Sequence, residues 1–181
     1  MSAESHRPTR VIVAEDEAII RLDLKELLQE EGYDVVGETG RGDEAVELVR
    51  DLRPDLVILD IKMPGLDGLS AARQVAGERL AAVLMVTAFS QRELVEQARD
   101  AGALAYLVKP FQKSDLIPAI EVALGRFAEL AALERDVEAR DARRHADAQA
   151  RHADSLRTTV RELEREQDSL LDRISAEMSA R

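Results

Sequence analysis

Several residue types are missing from this chain of 181 residues, and each absence excludes a class of chemistry. Cysteine is absent, which excludes disulfides, thiolate metal sites and cysteine nucleophiles. Tryptophan is absent too, and aromatic residues make up only 3% of the chain. No apolar run approaches the length of about 18 residues that a membrane-spanning helix needs. Residues 1–10 also lack the apolar core of a signal peptide, so we expect a cytoplasmic protein that does not contact a membrane.

A surplus of basic charge is missing as well. The chain has 25 Lys and Arg residues against 36 Asp and Glu residues, which gives a net charge of −11. Proteins that bind duplex nucleic acid carry a basic surface that neutralises phosphates. The charge therefore predicts that DNA is not a partner.

The two halves of the chain differ in composition. All nine glycines and all five prolines lie at or before Gly125, and lysine is also absent after it. Residues 9–124 are typical of a globular domain with frequent turns. Residues 125–181 are rich in Arg, Glu, Asp and Ala, and they predict one long, exposed helix.

Short apolar runs alternate with helical periodicities in the first part. The predicted strands are 10–14, 35–36, 56–60, 81–87 and 105–108. The predicted helices are 18–31, 43–51, 68–76, 91–100 and one that starts near Ser114, a candidate N-cap. Five βα units in this length predict an α/β fold, a flavodoxin-like (βα)5 doubly wound parallel sheet with helices on both faces.

Polar residues stand at the carboxyl ends of four of these strands, where sites lie in such sheets. Glu15 and Asp16 follow the first strand, and Asp60 ends the third. Thr87 ends the fourth strand, and Lys109 follows the fifth. Three neighbouring carboxylates repel one another unless a cation joins them, and oxygen ligands of this kind suit Mg²⁺. A carboxylate nucleophile, a metal, a lysine and a hydroxyl together describe a site that accepts a phosphoryl group.

Each of these residues also has an ordinary structural explanation. An acid at a strand end is usually a turn former or a helix cap, and a lysine before proline is usually a solvated loop residue. The combination at the correct strand ends favours the chemical interpretation.

Four stretches carry a resemblance to a known family: Val-Ala-Glu-Asp-Glu at 13–17, Leu-Val-Ile-Leu-Asp-Ile-Lys-Met-Pro-Gly-Leu-Asp-Gly at 56–68, Val-Thr-Ala at 86–88, and Tyr-Leu-Val-Lys-Pro-Phe at 106–111. Residues 9–124 resemble the receiver domain of two-component response regulators. The resemblance implies that a sensor histidine kinase is the partner and that Asp60 is the phosphoacceptor. It also implies a phosphoacceptor with at most slow self-dephosphorylation, not an enzyme.

The same resemblance assigns roles to the other site residues. Glu15, Asp16 and Asp60, with the backbone carbonyl of Lys62, would hold Mg²⁺. Thr87 and Lys109 would contact the phosphoryl oxygens. Tyr106 matches the aromatic residue that turns inward when the threonine shifts, and the bond between Lys109 and Pro110 is expected to be cis. The expected readout is the face formed by helix 4, strand 5 and helix 5.

The C-terminal part contains a heptad pattern. The a positions are Ala132, Ala139, Ala146, Ala153, Val160, Gln167 and Ile174. The d positions from residue 156 onwards are Leu156, Leu163, Leu170 and Glu177. This pattern predicts a coiled coil that makes a homodimer or binds a helical partner protein, with a solvated single helix as the alternative.

The first part is also similar to actinobacterial regulators whose output is an RNA-binding antiterminator module (ANTAR). No such three-helix module is identifiable after Gly125. No aromatic residue follows Phe127 to stack on bases, and no basic surplus is present there to bind RNA. We interpret the output as a coiled-coil helix that replaces the module. Two alternatives stay open: a transcription antiterminator with a degenerate output, and a phosphorelay shuttle or sink. A phosphatase of the haloacid-dehalogenase type is set aside, because it needs an acid where Lys62 stands.

Overall fold

The computed structural model describes residues 7–179, with the backbone alone at 174 and 177–179. Strands and helices alternate along these residues. The strands are β1 (Arg10–Ala14), β2 (Asp34–Thr39), β3 (Leu56–Asp60), β4 (Ala82–Thr87) and β5 (Ala105–Val108). The helices are α1 (Ala18–Glu30), α2 (Gly42–Leu52), α3 (Gly68–Gly77), α4 (Arg92–Asp100) and α5 (Lys113–Ser179).

The five strands form one parallel sheet in the order β2-β1-β3-β4-β5. Strands β1, β3 and β4 lie inside the sheet, and every residue of β3 and β4 is buried. This explains why the sequences of β3 and β4 are continuous apolar runs, since both faces are covered. The predicted flavodoxin-like fold, with a long C-terminal helix after it, is confirmed.

Side chains that alternate along each strand divide the core into two clusters. In β1, Ile12 points to the cluster built with α2, α3 and α4, whereas Val11 and Val13 point to the cluster built with α1 and α5. Helix α5 contributes Leu116 and Ile120, both fully buried. The first turns of α5 are therefore part of the domain core.

Two details of the elements differ from the sequence-based expectation. Strand β2 extends well beyond residues 35–36, and its pairing with β1 shifts by one residue after Val35. Helix α5 begins at Lys113, so the prediction that Ser114 caps it is wrong. The backbone N–H of Gln112 instead donates to the carboxylate of Asp115 at 2.9 Å, which satisfies a donor at the helix start.

The chain forms two compact units, one ending at Leu130 and the other beginning at Ala131. The first contains the sheet, and the second consists of the later part of α5. This division falls a few residues after the predicted boundary at 124/125, which stays a prediction. Within the described range, no helix combines the length and apolar character that crossing a lipid bilayer requires.

Candidate functional site

The acidic residues lie where the central strands end. Glu15 directly follows β1 and is 1% exposed, and its backbone N–H donates to the carbonyl of Thr39 at 3.0 Å. Asp16, the next residue, is exposed. Asp60 is the last residue of β3 and is 7% exposed. Because β1 and β3 are parallel neighbours, their carboxyl ends bring these side chains to one edge of the sheet.

The structure brings the three predicted carboxylates together. One oxygen from each of Glu15, Asp16 and Asp60 lies within 4.8 Å of the others. The ammonium of Lys109 donates to the Glu15 carboxylate at 2.5 Å and lies 3.5 Å from the Asp60 carboxylate. Lys109 follows β5, so residues from three strands meet in one cluster.

Burial controls the electrostatics of this cluster. Burial raises the pKa of Asp60 above its ordinary value, against the attraction of the Lys109 ammonium. Burial also raises the pKa of Glu15, opposed by the hydrogen bond and the charge of Lys109. One ammonium thus balances two buried carboxylates only in part, and the cluster keeps an excess of negative charge.

This donor set fits a magnesium ion. Mg²⁺ prefers oxygen ligands and is held by one or two carboxylates while it keeps several waters. Asp16 supplies an exposed carboxylate and Asp60 a buried one at the same sheet edge. Lys62 lies two residues after Asp60, in the loop that leads to α3, so its backbone is within the same region of the chain.

Thr87 and Tyr106 lie beside the cluster on β4 and β5. Thr87 is fully buried, and its hydroxyl accepts a hydrogen bond from the backbone N–H of Phe89 at 3.4 Å. Tyr106 is half-buried, and its hydroxyl donates to the backbone carbonyl of Phe89 at 2.5 Å. Burial, and then the charge of Asp60, raise the pKa of Tyr106.

The contacts of Arg21 and Lys62 are among those at the site that were not predicted from the sequence. Arg21 of α1 donates a short hydrogen bond to the backbone carbonyl of Glu15, which helps to fix the loop that carries Glu15 and Asp16. The ammonium of Lys62 lies 4.4 Å from the centre of the Phe89 ring. For the contact of Arg21 with Glu15, the sequence offers only a weak signal, namely that Arg21 lies in the helix that directly follows β1. The predicted cis bond between Lys109 and Pro110 is confirmed.

Comparison with known families gives a match over most of the first unit. The model of the response regulator receiver domain matches residues 11–121. The transcriptional regulatory protein PdtaR of Mycobacterium tuberculosis is 62% identical over 135 residues, which are 75% of this chain and 66% of PdtaR. The chain thus matches just under two thirds of that regulator's length.

Smaller proteins match over nearly their whole length. The chemotaxis protein CheY of Thermotoga maritima is 38% identical over 112 residues, which cover 61% of this chain and 93% of CheY. Among solved structures, the response regulator domain of Thermotoga maritima CheB superposes with a TM-score of 0.61 at 29% identity. That match covers 66% of this chain and 98% of the CheB domain chain.

Proposed function

Because this chain belongs to the response regulator receiver domain family, we propose that it accepts a phosphoryl group on Asp60 from a histidine kinase in a Mg²⁺-dependent reaction. One observation carries the proposal. The buried Asp60 carboxylate shares a cluster with Glu15 and Asp16 and has the Lys109 ammonium at 3.5 Å. A nucleophile, a cation site and a fixed ammonium are the groups that phosphoryl transfer needs.

The reaction is a displacement at phosphorus. An oxygen of the ionised Asp60 carboxylate attacks the phosphorus of a kinase phosphohistidine, the P–N bond breaks, and an acyl phosphate forms while the histidine leaves. A bound Mg²⁺ would neutralise charge on the transferring oxygens; Glu15, Asp16, Asp60 and the Lys62 carbonyl are the groups that would hold it.

Lys109 and Thr87 bind the product in this proposal. The Lys109 ammonium already lies between the Glu15 and Asp60 carboxylates, so it needs only a short movement to meet a phosphoryl oxygen on Asp60. Thr87 ends the neighbouring strand, and the hydrogen bond that its hydroxyl accepts from the backbone N–H of Phe89 is long, at 3.4 Å. The hydroxyl is therefore available to donate to a phosphoryl oxygen.

The readout follows from the exchange of these contacts. When Thr87 turns to the phosphoryl group, the loop after β4 moves with it, and the Tyr106 hydroxyl is bonded to that loop through Phe89. The face formed by α4, β5 and α5 then differs between the two states. We infer that this difference controls pairing of the C-terminal helix with a second copy or with a helical partner.

The protein is a stoichiometric phosphoacceptor in this proposal, not an enzyme that turns over a metabolite. Its only chemistry is to take the phosphoryl group and to lose it slowly to water. The net charge of −11 and the small number of aromatic residues favour protein partners over DNA or RNA.

The proposal is tested with the full chain and a small acyl phosphate as donor. Intact mass spectrometry should detect one added phosphoryl group when Mg²⁺ is present and none when it is chelated. Asp60→Asn should abolish the addition, because the amide is not a nucleophile. Asp67→Asn is the matched control, since it removes the same charge from a neighbouring loop position. Addition that persists in Asp60→Asn, or that needs no divalent cation, would contradict the proposal.

A further inference from the structure

The contact between Lys62 and Phe89 joins two loops that flank Asp60. Lys62 belongs to the β3–α3 loop, which would supply a backbone carbonyl to the metal, and Phe89 belongs to the loop after β4. The Lys62 ammonium lies 4.4 Å from the ring centre, within the range of about 6 Å for a cation–π interaction. Lys62 is exposed and Phe89 is half-buried, so this contact lies at the surface of the site.

The backbone of Phe89 is in turn bonded to the switch residues. Its carbonyl accepts the Tyr106 hydroxyl at 2.5 Å, and its N–H donates to the Thr87 hydroxyl at 3.4 Å. The position of Phe89 therefore determines whether Tyr106 has an acceptor. Two contacts therefore lead from the Lys62 side chain through Phe89 to Tyr106, and a third joins Phe89 to Thr87.

We propose that the Lys62 side chain is a positioning residue that couples the metal-binding loop to the switch: by resting on Phe89, it favours the conformer in which Tyr106 is bonded to the Phe89 carbonyl. The Mg²⁺-dependent part of this inference rests on the proposed function. The effect on the Tyr106 conformer in the metal-free protein does not.

Linkage fixes how the coupling is measured. If the bonded Tyr106 conformer favours Mg²⁺ and a phosphoryl analogue at Asp60, these ligands must favour that conformer by the same factor. Loss of the contact should then weaken ligand binding. A simple charge effect has the opposite sign, because removing the Lys62 ammonium next to a cation site should tighten Mg²⁺ binding. The direction of the change therefore separates the two mechanisms.

The composition provides an optical reporter for Tyr106. The chain has two tyrosines and no tryptophan, so Tyr33→Phe leaves Tyr106 as the single tyrosine, which can be excited at wavelengths that phenylalanine does not absorb. In this background we would compare Lys62→Met, Lys62→Arg, Phe89→Leu and the Lys62→Met/Phe89→Leu double variant. Lys25→Met, on α1, removes the same charge elsewhere and is the matched control.

The first readout is quenching of Tyr106 by acrylamide in the metal-free protein. We expect Lys62→Met and Phe89→Leu to increase quenching, while Lys62→Arg and Lys25→Met do not, because arginine keeps the cation over the ring. The second readout is the midpoint of Mg²⁺ binding, which is the Mg²⁺ concentration that half-saturates the protein. It is measured in the presence of beryllium fluoride, the phosphoryl analogue. Lys62→Met and Phe89→Leu should raise it about two- to fivefold, the ratio for a contact of about 0.5–1 kcal/mol. The Mg²⁺ affinity of the double variant should match that of Lys62→Met, because its second substitution removes a contact that is already lost.

Three other results would each contradict the role proposed for Lys62 or the function proposed for the protein. Unchanged quenching in Lys62→Met and Phe89→Leu, or additive effects in the double variant, would overturn the proposal. A lower Mg²⁺ midpoint in Lys62→Met with no change in Phe89→Leu would mean that Lys62 acts only through its charge and does not position Phe89. If the parent bound neither Mg²⁺ nor beryllium fluoride, the proposed function would fail, and the quenching data alone would decide the role of Lys62.

Discussion

At Asp60, the ionised carboxylate that the proposed reaction needs also lowers the stability of the folded protein. Asp60 is 7% exposed and shares one ammonium with Glu15. Burial raises its pKa, so the folded state holds the ionised form at a cost in free energy. Such strained sites are common where a group must react.

We therefore expect Asp60→Asn to stabilise the metal-free protein at neutral pH, by about 1–2 kcal/mol. The folded-state pKa of Asp60 is raised, so protonation favours the folded state. The gain from asparagine should be absent below the unfolded pKa, should appear as pH rises through the folded-state pKa, and should be complete above it. Urea unfolding at several pH values, with divalent cations chelated, measures this difference.

Asp67→Asn provides the contrasting case. The carboxylate of Asp67 caps α3. Burial acts to raise the pKa of Asp67, but hydrogen bonds from Ser70 outweigh it, so the pKa is lower than its ordinary value. That variant should lose stability at neutral pH and match the parent in acid. If Asp60→Asn were destabilising at neutral pH, Lys109 would compensate the buried charge far better than we argue.

At the scale of single residues, the sequence predicted which side chains meet but not all the bonds between them. Glu15, Asp60, Thr87 and Lys109 could be predicted because they stand at strand ends, and parallel strands end at one edge. The donation from Lys109 to Glu15 could not be predicted, because it depends on side-chain reach. The bond from Arg21 to the Glu15 carbonyl had no motif to indicate it.

At the scale of elements, α3 offers a matched pair of glycines. Gly68 begins the helix, and a Cβ there would lie 1.8 Å from the Asp60 carbonyl oxygen. Gly77 ends the same helix, and a Cβ there would meet nothing within 4 Å. The close approach at Gly68 keeps α3 against the strand that carries Asp60.

Gly68→Ala should therefore destabilise the protein by about 3 kcal/mol, because either α3 or the end of β3 must shift. Gly77→Ala should be neutral or should stabilise it by up to about 1 kcal/mol, since alanine reduces the freedom of the unfolded chain. Thermal unfolding of both variants measures the contrast. Equal effects of the two substitutions would contradict the packing argument.

The predictability of the elements follows from their burial. Strands β3 and β4 are buried along their whole length, so continuous apolar runs gave their positions closely. Strand β2 is at the edge of the sheet, contains Gly37 and shifts register after Val35, so its sequence predicted only a short segment. The start of α5 was displaced by one residue because its cap uses the Asp115 side chain and not Ser114.

At the scale of the whole molecule, the second unit presents an apolar stripe to solvent within this single chain. The side chains of Leu156, Val160, Leu163 and Leu170 are each more than half exposed. Ile174 and Glu177 belong to the same predicted seam, but their side chains lie outside the described residues. A helix with such a stripe is stabilised when a second helix covers it.

The heptad register makes a sharp prediction, because Leu170 is a d position and Leu171 is its e neighbour. Both are exposed to a similar extent in the single chain, at 53% and 57%. If the full chain forms a homodimer through this seam, Leu170→Gln should weaken dimerisation at least about tenfold, since each chain loses about 1.5–3 kcal/mol of apolar burial. Leu171→Gln should have a clearly smaller effect.

Light scattering after size exclusion, over a range of protein concentrations, measures this pair of variants. Repeating it with Mg²⁺ and beryllium fluoride, and in Asp60→Asn, tests whether the acidic site controls the pairing. A mass that changes with the reagent only when Asp60 is present would show that the acidic site of the first unit controls pairing through the second. A constant dimer would make the helix a permanent scaffold. Equal effects of the two leucine variants would refute the register, and a monomer throughout would leave a helical partner protein to cover the stripe.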